Sequence, residues 1–155
     1  MKILVDADSC PRDARALVLR AALRTGVTAY FAANRPIPDL EGGEMLLCPA
    51  GEGAADDRLA ALAAEGDLAV TRDIPLAERI LEAGAEVLDD RGRIFTRGNI
   101  GEFLSLRDFT LDLVSNGAAC ERSSHYGRGE LKKFAASFDK LLTRLLARDR
   151  GSESA

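Results

Sequence analysis

The stretch from Lys2 to Pro11, K-I-L-V-D-A-D-S-C-P, constrains the fold of this chain more than any other. A short apolar run that ends in a polar cluster and leads into a helix is typical of a buried parallel strand. Side chains two positions apart on a strand point to the same face, so Asp6 and Asp8 are expected to project together from its carboxyl end. Ligands bind at that end in open α/β sheets. Two like charges repel there unless a cation lies between them, and oxygen ligands favour a hard divalent ion.

A purely structural explanation is open for part of this cluster. Ser9 or Asp8 could cap the next helix, with Pro11 in its first turn. Asp6 ends a hydrophobic strand and has no comparable local role. Asp6 is therefore the first residue that we predict to be functional.

Up to residue 90 the chain alternates predicted strands and helices. After the first strand, strands are predicted over 27–33, 44–48, 67–73 and 86–89, and helices over 12–25, 54–65 and 76–83. This alternation indicates crossover connections and a mainly parallel sheet of about five strands. Right-handed crossovers then place the carboxyl ends of the strands at one edge of the sheet.

The C-terminal part of the chain has a different character. It comprises a short extended piece over 94–96, a helix over 100–115, a polar linker over 117–128 that holds the only histidine, His125, and an amphipathic helix over 129–148. The helix over 100–115 is expected to pack through Phe103, Leu104, Leu106, Phe109, Leu111 and Leu113. We expect residues 1–148 to form one domain and residues 149–155 to be a disordered tail.

Bulk composition limits the possible locations and partners. No apolar run approaches the ~18 residues that a membrane span needs, and no signal segment precedes the first strand, so we expect a cytoplasmic protein with no membrane contact. The three cysteines, Cys10, Cys48 and Cys120, lack metal-type spacing and are expected to be free thiols. Residues 1–90 carry a net charge of −8 and residues 91–155 a net charge of +4, which sum to the −4 of the chain. An acidic half beside a basic half suits an anionic polymer, although charge can also drift along a surface.

Several carboxylates fall at or just after the predicted strand ends. They are Asp6, Asp8, Asp56, Asp57, Asp73, Asp89 and Asp90. Carboxylates that converge from separate parts of a chain bind Mg²⁺ or Mn²⁺ well, and such a site can activate water for attack on a phosphodiester. Other roles are open for some of these acids: the helix dipole for Asp56 and Asp57 and turn formation for Asp89 and Asp90.

Sequence motifs add a family resemblance to this interpretation. The segments V-D-A-D-S-C-P, A-A-D-D, G-D-L-A-V-T-R-D-I-P-L-A, R-G-R-I-F-T-R-G-N-I and L-R-D-F occur in this order. Together, from Met1 to about Leu146, they resemble the YaiI/YqxD family, which is similar to the PIN-like domains, a metal-dependent ribonuclease fold. The resemblance implies a three-layer α/β/α domain with C-terminal helices. It also implies Asp6 as the first-strand metal ligand, Asp56 as the helix acid, with Asp57 as an alternative, Thr71 and Asp73 as a T-x-D pair, and Asp8 as a nearby extra acid.

These considerations lead to one hypothesis for the site. We expect a Mg²⁺ or Mn²⁺ nuclease for RNA, with Asp6, Asp56 and Asp73 as catalytic residues and Asp8 and Asp57 as further metal ligands. Thr71, Asn34 and Ser9 are expected to orient the ligands. Lys132, Lys133, Arg12 and Arg72 are expected to contact RNA, while the sequence leaves a homodimer open.

Two other classes of function compete with this one. A phosphohydrolase of the haloacid-dehalogenase type is imitated by D-A-D, by Thr71 and by the acids at 89 and 90. That class needs a lysine before its last acidic motif, and none occurs between Lys2 and Lys132. A non-catalytic RNA-binding module is the second alternative, since the basic final helix suits phosphate contacts.

Overall fold

The computed structural model describes residues 1–51, 53–115 and 125–153. Its elements, in chain order, are β1 (Ile3–Asp6), α1 (Arg12–Thr25), β2 (Ala29–Ala33), β3 (Glu44–Leu47), α2 (Ala54–Leu62), β4 (Leu68–Val70), α3 (Ile74–Glu82), β5 (Glu86–Leu88), β6 (Ile94–Phe95), α4 (Ile100–Ser115) and α5 (Arg128–Glu153). The predicted alternation of strands and helices up to residue 90 is confirmed.

The strands form one six-stranded sheet in the order β3-β2-β1-β4-β5-β6. All neighbours among β1 to β5 pair in parallel, and β6 pairs with β5 in the antiparallel sense. The prediction of an α/β fold with a mainly parallel sheet is therefore confirmed, with the short extended piece after residue 93 as the sixth strand. From β1 the chain adds β2 and β3 on one side of the sheet and then β4 and β5 on the other, so the strand order reverses between β1 and β4. Such a reversal opens a crevice at the carboxyl ends of these two strands.

Alternate residues of the central strand β1 contribute to different apolar clusters. Ile3 and Val5 pack with residues of α1 and α5, including Phe134 and Phe138. Leu4 packs with residues of α2, α3 and the start of α4. Because side chains alternate across a strand, these clusters lie on opposite faces of the sheet. Burial on both faces explains why β1 consists of consecutive apolar residues up to Asp6.

The local signals at the ends of α1 were only partly predictive. Gly26 ends the helix in the left-handed conformation at φ 74°, as a C-terminal glycine does. The N-cap is Pro11, and no side chain caps the helix. Neither Asp8 nor Ser9 therefore has the capping role that offered a structural explanation for them.

The C-terminal helices depart from two expectations. Leu106, Phe109, Leu111 and Leu113, which were expected to pack, are between 40 and 62 % exposed. The periodicity of α4 predicted a helix correctly, and among the described residues its first turns supply the packing through Ile100, Phe103 and Leu104. Helix α5 continues to Glu153 instead of ending at Arg148, so the predicted tail is helical as far as it is described. Most of the predicted linker, residues 116–124, lies outside the described residues.

The described residues also bear on the membrane and cysteine expectations. No helix among them is both long enough and apolar enough to cross a membrane. Cys10 and Cys48 are buried free thiols, as predicted, and Cys120 lies outside the described residues.

Gly92, in the turn between β5 and β6, lies close to the backbone of α5. Its φ is +86°, and a Cβ atom there would lie 2.5 Å from the carbonyl oxygen of Lys133. We expect Gly92→Ala to lower the free energy of unfolding by about 2–3 kcal/mol, since it adds both overpacking and an unfavourable φ. Urea denaturation measures this change. Gly101→Ala, in open space on α4, is the matched control and is expected to leave stability unchanged or to raise it by up to about 1 kcal/mol. Equal stability of the two variants would contradict the prediction.

Candidate functional site

Asp6 lies at the crevice between β1 and β4, and hydrogen bonds fix its carboxylate there. The side chain is almost fully buried, and its Oδ2 accepts from Thr71 Oγ1 at 3.0 Å and from Ser9 Oγ at 3.2 Å. Thr71 Oγ1 in turn accepts from the backbone N–H of Asp73 at 3.0 Å. This chain of hydrogen bonds joins the end of β1 to the segment that follows β4. Thr71 and Ser9 thus orient the Asp6 carboxylate.

Asp73 has a structural role in addition to its place in the crevice. It is the N-cap of α3, and its Oδ1 accepts from the Leu76 backbone N–H at 3.0 Å. Pro75 in the first turn has no N–H that needs a partner. Asp73 also shares a side-chain hydrogen bond with Asp56. The Asp73 side chain therefore joins the start of α3 to the first turn of α2.

Asp56, in the first turn of α2, interacts electrostatically with both of these acids. Partial burial, together with the charges of Asp73 and Asp6, raises the pKa of Asp56 to about 6. Burial also raises the pKa of Asp6, reinforced by the charges of Asp73 and Asp8 and opposed by the Thr71 and Ser9 hydrogen bonds. Asp6 and Asp56 are thus harder to ionise than an ordinary aspartate, in part because the charge of Asp73 acts on both. We call Asp6, Asp56 and Asp73 the acidic cluster.

The acidic cluster makes the folded state less stable as Asp56 ionises. Its folded pKa of about 6 exceeds the ordinary 3.8, so the folded chain binds more protons and stability falls as pH rises through about 6. Asp56→Asn is expected to raise the free energy of unfolding at pH 8 by about 0.5–1 kcal/mol, a small value because solvent screens the charges at this accessible position. At pH 4 the substitution is expected to have little effect. Urea denaturation in EDTA at both pH values measures the difference. Asp57→Asn is the control, and lower stability of Asp56→Asn at pH 8 would refute the prediction.

Asp8, Ser9 and Asn34 line a cleft of about 310 Å³ together with Asp6 and Asp56, whereas Asp57 does not line it. Asp8 accepts from the Asn34 backbone N–H at 2.9 Å, and its other oxygen is 3.6 Å from Arg35 Nε. The Asn34 side chain has no hydrogen bond among the described residues. Asp57 is exposed and paired with Arg79 at 2.9 Å.

Asp89 and Asp90 follow β5 but have structural partners. Asp89 Oδ1 accepts from the N–H groups of Arg91 and Arg93, so it forms the turn, as the structural alternative held. Asp90 Oδ2 accepts from Arg72 Nε at 2.6 Å and lies 2.5 Å from Arg72 Nη2. The Tyr126 hydroxyl donates to the Asp90 carbonyl at 2.6 Å. These contacts tie the segments after β4 and β5 to the start of α5.

The residues predicted to contact RNA are not brought together. Arg72 is engaged by Asp90, and Arg12 lies 3.5 Å from Asp39. Lys132 and Lys133 are exposed on α5. Sequence reasoning missed Arg91 and Arg93, which flank a groove beside Lys133. Their only sequence signal was their place after the last parallel strand.

The donor set of the acidic cluster fits a hard divalent cation in its chemistry. The cluster offers carboxylates, and the hydroxyls of Thr71 and Ser9 bond to Asp6. A cation would relieve the repulsion among the carboxylates. Within residues 1–51, 53–115 and 125–153, no three His, Cys, Asp or Glu side chains are arranged closely enough to hold a metal directly. Mg²⁺ commonly keeps several waters and takes only one or two carboxylates, so contact through water is compatible with this spacing.

Comparisons with known proteins give a consistent result. The family model described as "Uncharacterized BCR, YaiI/YqxD family" matches residues 4–144. The chain is 45% identical over 146 residues to a UPF0178 protein of Treponema denticola, which covers 94% of each chain. It is 44% identical over 156 residues to a UPF0178 protein of Treponema pallidum, covering 99% of this chain and 88% of that one. It is 41% identical over 148 residues to a UPF0178 protein of Myxococcus xanthus, covering 94% and 97%. No solved structure matches the chain significantly.

Proposed function

The chain belongs to the YaiI/YqxD family, as its motifs predicted, and from its site we propose that it is a PIN-like, Mg²⁺- or Mn²⁺-dependent ribonuclease. The observation that supports this proposal most is the acidic cluster. Asp6, Asp56 and Asp73 come from three separate elements and lie at the crevice between β1 and β4, and burial together with the charge of Asp73 raises the pKa of both Asp6 and Asp56. Such clusters of perturbed acids occur chiefly at functional sites.

Each member of the cluster has a distinct proposed role. Asp6 and Asp73 would hold the cation directly or through water, with their orientation fixed by Thr71, Ser9 and the α3 cap. When bound, the cation supplies charge neutralisation and lowers the pKa of a coordinated water. Asp8 and Asn34 line the same cleft and would contact the outer waters.

Asp56 is the proposed base or ligand for the attacking water. A carboxylate with a pKa of about 6 is largely ionised at neutral pH, yet it binds a proton more readily than an ordinary aspartate. The water oxygen attacks phosphorus, its proton passes to Asp56, and the bond from phosphorus to the leaving sugar oxygen breaks. Solvent then protonates that oxygen, which leaves one phosphate monoester and one hydroxyl.

The two alternatives differ in what supports them. A dehalogenase-type phosphohydrolase needs a lysine that this sequence lacks, so another free cation would have to replace it. Arg79 could substitute only awkwardly, and it is paired with Asp57. A non-catalytic RNA-binding module is favoured by the exposed basic residues of α5 and by the lack of a direct three-ligand group among the described residues. Only a cleavage measurement separates this module from a nuclease.

The test is incubation of the purified protein with a 5′-labelled pool of single-stranded RNA. We expect cleavage of the RNA in Mn²⁺ or Mg²⁺, and we expect EDTA to abolish it. Single-stranded DNA of the same sequences is expected to be cleaved less than the RNA. RNA that binds in either condition but is never cut would favour the binding module. A phosphatase activity on small phosphomonoesters without RNA cleavage would favour the dehalogenase alternative.

A further inference from the structure

A groove of about 750 Å³ separates the turn after β5 from helix α5. Its walls are Arg91, Gly92, Arg93, Glu130, Lys133, Ala136 and Ser137. The two walls are fixed to each other, because the Ser137 hydroxyl donates to the Gly92 carbonyl at 2.7 Å and Gly92 has no room for a side chain. Three cationic side chains and one anionic side chain line this groove, although the whole chain has a net charge of −4.

Arg93 is oriented toward solvent in a fixed geometry. Its Nε bonds to Asp89 Oδ2, and its guanidinium lies over the ring of Phe103, 5.4 Å from the centroid. Just over half of the side chain is exposed, and no described residue accepts a hydrogen bond from its terminal nitrogens. A planar guanidinium held on one side presents paired donors on the other, which is the geometry that recognises phosphate.

The opposite wall adds a second cation. Lys133 is exposed and has no acidic partner in the part of the chain that the structure describes. The one acid of the groove, Glu130, is engaged: it accepts from the Gly127 N–H at 2.9 Å and lies 3.9 Å from Arg91 Nη1. Lys133 is thus the cation of the groove without an acidic partner among the described residues, while Arg93 shares its charge with Asp89 and contributes the free donors of its terminal nitrogens.

The groove adjoins the acidic cluster along the chain. Arg91 directly follows Asp90, Asp90 binds Arg72, and Arg72 lies between Thr71 and Asp73. One series of contacts and neighbouring residues therefore links the wall of the groove to the segment of the acidic cluster. An acidic site disfavours phosphates by itself, so a substrate strand needs such a basic surface beside it.

We propose that this groove binds the phosphate backbone of a single RNA strand next to the bond that is cut, through Arg93 and Lys133. The inference rests on the proposed ribonuclease function for the identity of the polyanion. An acidic peptide is the competing ligand, because a guanidinium fork binds carboxylates as well as phosphates, and competition by polyglutamate separates the two.

The test is fluorescence-anisotropy binding of a labelled, mixed-sequence, single-stranded RNA in EDTA, so that no cleavage contributes. Lys133→Glu is expected to weaken binding about tenfold at low salt and to reduce the slope of log K against log salt by about 1. Arg93→Lys, which keeps the charge but loses the fork, is expected to weaken binding several-fold. Arg20→Glu is the matched control, because Arg20 is exposed on α1 and has no ion pair among the described residues, and it is expected to bind within about twofold of wild type.

Each outcome separates the groove from the nuclease proposal. Weaker binding by Lys133→Glu and Arg93→Lys, with Arg20→Glu near wild type, supports the groove even if no RNA is cut in Mn²⁺. Equal binding by Lys133→Glu and Arg20→Glu overturns it, as does a wild-type chain that does not bind RNA at low salt. Competition by polyglutamate as strong as that by unlabelled RNA overturns the assignment to nucleic acid.

Discussion

Asp6→Asn is expected to reduce Mn²⁺-dependent RNA cleavage by at least about 100-fold, because loss of even an outer partner of a metal ligand costs ~10–100-fold. Asparagine has nearly the shape of aspartate and can still accept the Thr71 hydrogen bond, but it removes the charge that would attract a cation. Because burial raises the pKa of Asp6, loss of this charge is not expected to destabilise the fold. Gel analysis of 5′-labelled RNA over time measures the effect.

Asp57→Asn is the matched control for this loss of activity. Asp57 is a neighbouring acid of α2, but it is exposed and paired with Arg79. We expect its variant to cleave within about twofold of wild type, as surface ion pairs contribute ~0–1 kcal/mol. If Asp6→Asn and Asp57→Asn cleaved equally well, the acidic cluster would not be the catalytic site.

Arg72→Met is expected to lower the free energy of unfolding by about 3 kcal/mol, the cost of leaving a buried carboxylate without its cation. The Asp90 side chain is 2% exposed, and its Oδ1 already has no hydrogen-bond partner among the described residues. Removal of Arg72 would leave Oδ2 without its donor as well. Urea denaturation at neutral pH measures the change.

The double variant Arg72→Met/Asp90→Asn tests the physical reason. If the cost comes from the unpaired charge, neutralising Asp90 should restore most of the lost stability, since replacing both partners of a buried pair is often nearly neutral. The single variant Arg79→Met, which breaks the exposed pair with Asp57, is expected to change stability by less than about 1 kcal/mol. A double variant no more stable than Arg72→Met would contradict this account.

Local signals were sufficient to predict the first strand, and an apolar run that ends in a carboxylate predicted Asp6 at the end of β1. They also placed Asp73 just after the fourth strand and Asp56 in the first turn of the second helix. The N-cap role of Asp73 was not predicted, because Thr71 and Pro75 offered another explanation of the helix start. The local pattern left Asp56 and Asp57 equivalent, and only the family resemblance favoured Asp56.

Contacts between distant segments could not be predicted in this way. Asp8 was expected to share a strand face with Asp6, but β1 ends at Asp6 and Asp8 lies in the turn that follows. There it accepts from the Asn34 N–H, whose position depends on the loop after β2. Arg72 lies beside the predicted ligands, and its engagement by Asp90 depends on the pairing of β4 with β5. The periodicity of α4 predicted a helix but not whether any part of the chain would cover Leu106 and Phe109.

Isothermal titration of Mn²⁺ into wild type and Asp6→Asn measures the metal site at the acidic cluster. We expect binding to wild type at pH 7 that weakens toward pH 5, because protons compete for Asp56, whose pKa is about 6, and for Asp6. Binding near pH 6 is expected to release protons, which is detected as a dependence of the heat on the buffer. We expect Asp6→Asn to bind at least about 10-fold more weakly. Absence of binding to wild type at millimolar Mn²⁺ and neutral pH, or equal binding by Asp6→Asn, would contradict the metal site proposed at the acidic cluster.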